Sequence, residues 1–207
     1  MRPLSLTAMH RALVGLVLLL AAAIVSSTPV LRHDVCSSAA GVYLSHAVRG
    51  QFGTGRATGG GNALDLSLLQ PGDIMLGGKP GGAYGHFTHA GIYLGDGQMM
   101  EGYVDCGLSR QPASHYLGYD YACILRVRTS PQVRARAARW AQAREYQAFY
   151  PAAFKAGERY WNCTKLVWAA FRQQGVELDP RGDLWLTPDQ LYHSPRVRVV
   201  ASAGVMP

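Results

Sequence analysis

Thr88-His89-Ala90-Gly91-Ile92-Tyr93-Leu94-Gly95-Asp96-Gly97 is the stretch whose reading decides the fold. Apolar and aromatic residues run up to a Gly-Asp-Gly turn, and Gln98 to Val104 carries the pattern away from it. This predicts a β-hairpin. A turn centred on Asp96 sets His89 opposite Tyr103. Glu101 then lies two residues further along the partner strand on the same face, because side chains alternate. A one-residue slip would carry Glu101 to the other face.

Outward from the hairpin, Pro71-Gly72-Asp73 reads as a turn and Ile74-Met75-Leu76 as a short strand, followed by a glycine-rich loop from Gly77 to Gly85. Ala122 to Arg128 and Val197 to Val200 read as further strands. Ser130 caps a helix with Pro131 in its first turn. Its inner face carries Val133, Ala137, Trp140 and Ala141, while Arg134, Arg136, Arg139 and Arg144 are expected to point to solvent. Asn162 caps a second helix from Cys163 to about Gln174, on which Leu166, Val167, Ala170 and Phe171 share a face; Gly175 supplies its stop. The expected fold class is α+β, an antiparallel sheet packed with helices.

Composition narrows the function. The chain has 207 residues and a net charge of +7, with 48% apolar and 16% charged residues. These values exclude a coiled coil, a disordered acidic chain and a small disulfide-knotted toxin. A low charged fraction with scattered arginines argues against nucleic-acid binding, which clusters basic residues on one face. Ala12 to Val25 form an uncharged run of 14 residues behind Arg2 and Arg11. That is shorter than the roughly 20 residues of a spanning helix, and Val25-Ser26-Ser27 offers small residues for cleavage. Residues 1–27 are expected to be a signal peptide or membrane anchor, so the protein is expected to be exported, periplasmic or extracellular. Residues 28–62 form an N-terminal segment ending in a glycine-rich linker (Gln51 to Asn62), with a short helix expected within Val35 to Val48. Residues 63–207 are the functional domain.

Cys163 stands at the first turn of its predicted helix, where the helix dipole and unpaired N–H groups favour the thiolate. The other reading of such a residue is a buried structural cysteine. Cys36, Cys106 and Cys123 then allow at most one disulfide. A carboxylate at Glu101 could hold one nitrogen of His89 and set its tautomer. His86 and His89 have H-x-x-H spacing but point to opposite faces of an extended segment, which disfavours a zinc pair. No cofactor or metal is expected.

Leu69-Gln70-Pro71-Gly72-Asp73-Ile74-Met75, then Thr88 to Gly97, then Met100-Glu101, then Asn162-Cys163-Thr164-Lys165-Leu166-Val167-Trp168 together resemble the YiiX/YebB-like branch of the NlpC superfamily. Those proteins are papain-like cysteine hydrolases with a circularly permuted chain, in which histidine precedes cysteine. The resemblance covers residues from about 64 to 200. It implies Cys163 as nucleophile, His89 as general base and Glu101 as the group orienting His89, with the Cys163 N–H contributing to an oxyanion hole. Tyr84 and His86 are the side chains offered for the rest of that hole. The tyrosine-rich segment between Cys106 and Cys123 matches no motif; it reads as packing, with a wall of the substrate cleft as the alternative. The implied substrates are a cell-wall peptide amide or a lipid acyl group, with membrane contact through the N-terminal segment. A non-catalytic module binding wall or membrane is the alternative from another class.

Overall fold

The computed structural model describes residues 6–27, 44–45, 48, 55–57, 59–82, 84–151, 153–179 and 181–204. Helix α1 (Leu6–Ser27) is followed after a long interval by six strands: β1 (Ile74–Gly78), β2 (Phe87–Gly95), β3 (Gln98–Tyr103), β4 (Gly107–Pro112), β5 (Tyr121–Val127) and β6 (Val197–Gly204). Between β5 and β6 lie α2 (Pro131–Gln142), α3 (Cys163–Arg172) and α4 (Pro188–Tyr192). The strands form one antiparallel sheet in the order β4-β3-β2-β1-β5-β6. The α+β class expected from the sequence is the class observed.

The β2–β3 turn is a two-residue loop in which Asp96 and Gly97 both have positive φ, at 50° and 71°. That is the backbone an Asp-Gly pair supports in a tight hairpin. Ile92 pairs with Met100 and Tyr93 with Met99, the register expected for a turn at Asp96. At the base of the hairpin, buried Asp73 accepts two hydrogen bonds from Arg126, at 2.8 and 2.6 Å, and one from the Gln70 N–H at 2.8 Å. The Pro-Gly-Asp turn is therefore structural: its carboxylate ties β1 to β5.

Alternation along β1 divides the core. Ile74 and Leu76 join Ala90, Ile92 and Met100 beneath Leu166, Val167 and Phe171 of α3 and Ala137 and Ala141 of α2. Met75 joins Met99 and Ile124 on the other side, covered by Leu64, Tyr116 and Tyr119. Truncating one of the large buried side chains costs about 2–5 kcal/mol. Stability therefore rests on these two layers rather than on the polar residues between them.

Arg134 departs from expectation. It is buried, donating to the Thr129 carbonyl at 2.7 Å and to the Gln70 amide oxygen at 3.0 Å. Arg144 also folds back, 3.1 Å above the Trp140 ring. Both carry charge on aliphatic stems long enough to cross the helix surface. The second helix ends at Arg172, two residues earlier than expected, with Gly175 at φ 78° just beyond. Strand β4 and helix α4 were not expected from the sequence. The Thr187 capping box that starts α4 carries a Thr-x-x-Gln signature, T-P-D-Q. Of the helix expected within 35–48, Leu44, Ser45 and Val48 are helical; the rest lies outside the described residues. Cys106, Cys123 and Cys163 are free thiols, and Cys36 lies outside the described residues. Among the described residues no helix is long and apolar enough to cross a membrane.

Candidate active site

Cys163, His89 and Glu101 come together, each from a different element. Asn162 starts α3 by accepting the Lys165 N–H at 2.7 Å, and its amide group donates to the Pro151 and Ala153 carbonyls at 3.1 and 3.2 Å. Held on both sides, Asn162 fixes the first turn and with it Cys163, which is partly exposed. His89 on β2 is fully enclosed, and Glu101 on β3 has no exposed surface. His89 Nε2 lies 2.6 Å from Glu101 Oε2. The Cys163 side chain stands near enough to the imidazole to act on its charge. With Nε2 held by the carboxylate, Nδ1 is the nitrogen left for sulfur.

Electrostatics at His89 are a contest. Burial alone would push its pKa down, because a charged imidazole loses its water. The neighbouring Cys163 and Glu101 outweigh that and raise it to about 9. The imidazolium is thus favoured in the folded state. Its contribution to stability is complete below the ordinary histidine value of about 6.5 and is lost as pH rises through about 9. The melting temperature of the intact chain should therefore fall between those pH values. In His89→Gln this component of the fall should vanish; parallel curves for the two proteins would refute the assignment.

Glu101 sits in an aromatic box. Tyr116 O–H donates to Oε2 at 3.1 Å, and the Tyr103 hydroxyl lies 3.5 Å from the same oxygen. The Tyr103 ring stacks on His89 with centroids 4.5 Å apart. Burial, followed by the neighbouring Glu101 charge, pushes the phenols of Tyr103, Tyr116 and Tyr119 upward, so they keep their protons and serve as donors. Tyr116 reaches the carboxylate by crossing over Gly91, where a Cβ would stand 2.8 Å from its hydroxyl oxygen. The glycine in the H-A-G-I-Y stretch is there to let the ring pass. His115 lies on the outer side. Its Nδ1–H donates to the Pro112 carbonyl at 2.7 Å, and Nε2 is 3.1 Å from the Tyr103 hydroxyl and 3.4 Å from Glu101 Oε1.

The tyrosine-rich segment therefore does more than pack: it encloses Glu101. Tyr116 and His115 lie on a turn of 3-10 helix (Ala113–Gly118) and surround the acidic member of the site. The local cue was a cluster of tyrosines; their target is supplied by long-range strand pairing. Of the two residues offered for an oxyanion hole, His86 stacks its ring on Tyr121 at 3.9 Å and leaves Nε2 buried without a hydrogen-bond partner, while its backbone N–H is accepted by Asp189 of α4 at 2.8 Å. Tyr84 precedes it on the same loop.

The fold has a solved counterpart. It is similar to the metalloprotein YiiX from Escherichia coli O157:H7, with a TM-score of 0.53 and 14% identity, over 68% of this chain and 99% of that one. No known protein family matches the chain. No curated protein matches it either. At 14% identity the likeness to YiiX speaks for the fold alone. The metal belongs to the description of YiiX. Among the described residues of this chain, no group of three or more His, Cys, Asp or Glu side chains could hold a metal ion. His89 Nε2 already faces Glu101. These residues do not fit a metal centre.

Proposed function

We propose that this chain is an exported cysteine hydrolase with a circularly permuted papain-like fold of the NlpC superfamily, cleaving an amide bond through an acyl-enzyme. The observation that carries the reading is a buried imidazole held by a buried carboxylate and acted on electrostatically by a thiol at a helix start. The Cys163 thiolate adds to the carbonyl carbon, and the C=O electrons move to oxygen, where the N–H groups of the first turn of α3 stabilise the charge. As the C–N bond breaks, His89 gives its proton to the departing amine. His89 then takes a proton from water, whose oxygen attacks the thioester; the acid leaves and the thiolate is restored. General acid–base transfer of this kind contributes about 10²–10⁴-fold.

Cell-wall peptides are the first substrate class proposed, since a basic exported domain suits an anionic polymer. One observation favours transfer of a lipid acyl group as the second. A cavity of about 440 Å³ lies beside the first turn of α3, lined by Tyr150, Ala153, Phe154, Arg159, Tyr160 and Lys165, whose ammonium is taken up by the Tyr160 carbonyl at 2.7 Å. A lining with this much aromatic and aliphatic surface suits an apolar chain. The intact chain, incubated separately with wall muropeptides and with phospholipid vesicles, should release product from one of them with a transient acyl mass on Cys163. Release from neither, or release without the adduct and unaffected by Cys163→Ala, overturns the proposal.

A further inference from the structure

Residues 55–57 and 59–62 lie against the site rather than looped away from it. Asn62 donates its side-chain amide to the Tyr116 and Tyr119 carbonyls, both at 2.9 Å, and its backbone N–H to Leu117 at 3.1 Å. Upstream, Tyr119 O–H donates to the Gly55 carbonyl at 2.5 Å. Gly55 is buried, has φ 78°, and lies so close to the imidazole that a Cβ there would stand 3.1 Å from His89 Nδ1. Arg56 pairs with Asp105 at 2.6 and 2.7 Å, and its guanidinium lies 4.3 Å above the Tyr103 ring.

Nδ1 is the nitrogen that must meet the thiol and then the departing amine. A scissile amide has to bring its nitrogen within about 3 Å of that atom, and Gly55 borders that space: a Cβ on it would stand 3.1 Å from Nδ1. We propose that residues 55–57 are an autoinhibitory strap, closing the leaving-group side of the site and lifting before substrate enters. This rests on the Cys163–His89 reading above and adds its regulation. The outer tie is weak: the Arg56 and Asp105 side chains are 46% and 66% exposed, so their pairing is screened by water and salt. Near the imidazole the fit is tight. A larger side chain at Gly55 would meet both the positive φ and His89, so it cannot seat.

The test is the alkylation rate of Cys163 in the intact chain by iodoacetamide, read at its own peptide by mass spectrometry because Cys106 is also exposed. Arg56→Ala should raise the rate about two- to five-fold, the range that loss of an exposed ion pair allows. Gly55→Val should raise it at least as much, and added salt should raise the wild-type rate toward that of Arg56→Ala. Unchanged or slower labelling in both variants, with melting temperatures near wild type, overturns the strap. His89→Ala separates the two failures. If it leaves Cys163 labelling unchanged, the site reading falls; if it slows labelling while both strap variants match wild type, only the strap falls.

Discussion

Cys163→Ala is expected to abolish turnover, by at least about 10³-fold, while leaving the chain folded. The size of the loss follows from the mechanism: without the thiol, the remaining catalysis would come from substrate binding and the α3 N–H groups alone. The fold should survive because Cys163 is only partly buried, at the margin of a core built on Leu166, Val167 and Phe171. Substitutions of this kind cost about 1 kcal/mol. Hydrolysis assays alongside circular dichroism check both halves. Turnover that persists at the wild-type rate would end the cysteine mechanism whatever the substrate.

Glu101→Gln is expected to lower kcat by about 10²–10⁴-fold, with Cys163 still open to alkylation. The amide is nearly the same shape as the carboxylate, so packing within the aromatic box is kept. What changes is the proton on His89. Glu101 only accepts, so Nε2 carries the hydrogen and Nδ1 faces sulfur. An amide NH₂ turned toward Nε2 would demand the opposite tautomer, leaving Nδ1 unable to take a proton from the thiol. An amide oxygen turned inward would restore the tautomer but not the charge that stabilises the imidazolium. Either orientation slows the reaction, and steady-state kinetics with parallel thiol labelling would separate the effect from unfolding. A variant as fast as wild type would remove Glu101 from the site.

Much of this was legible in the chain because it is written locally. The Asp-Gly turn and the alternation on either side of it set the hairpin register, and the register puts His89 and Glu101 on one face. Asn162 before an apolar helical stripe places Cys163 on a first turn. What stayed hidden depends on distant partners. Strand β4 carries one large aliphatic residue, Leu108, among glycine, proline and polar side chains, and it forms because β3 offers it an edge. Tyr116 matters because β3 delivers Glu101 beneath its hydroxyl. Arg134 looks like any surface arginine until Gln70 and the Thr129 carbonyl come within reach. Residues 55–57 have a linker's composition, and distant partners such as Tyr119 and Asp105 pin them down.

The most direct measurement is the rate at which Cys163 of the intact chain is alkylated at pH 7, compared with the same rate in His89→Ala. Pairing of thiol and imidazole predicts rapid labelling in the wild type and a fall of at least about ten-fold in the variant, as the thiolate loses its partner. Equal rates in the two proteins would mean that His89 and Cys163 are neighbours without shared chemistry, and would contradict the account at its centre.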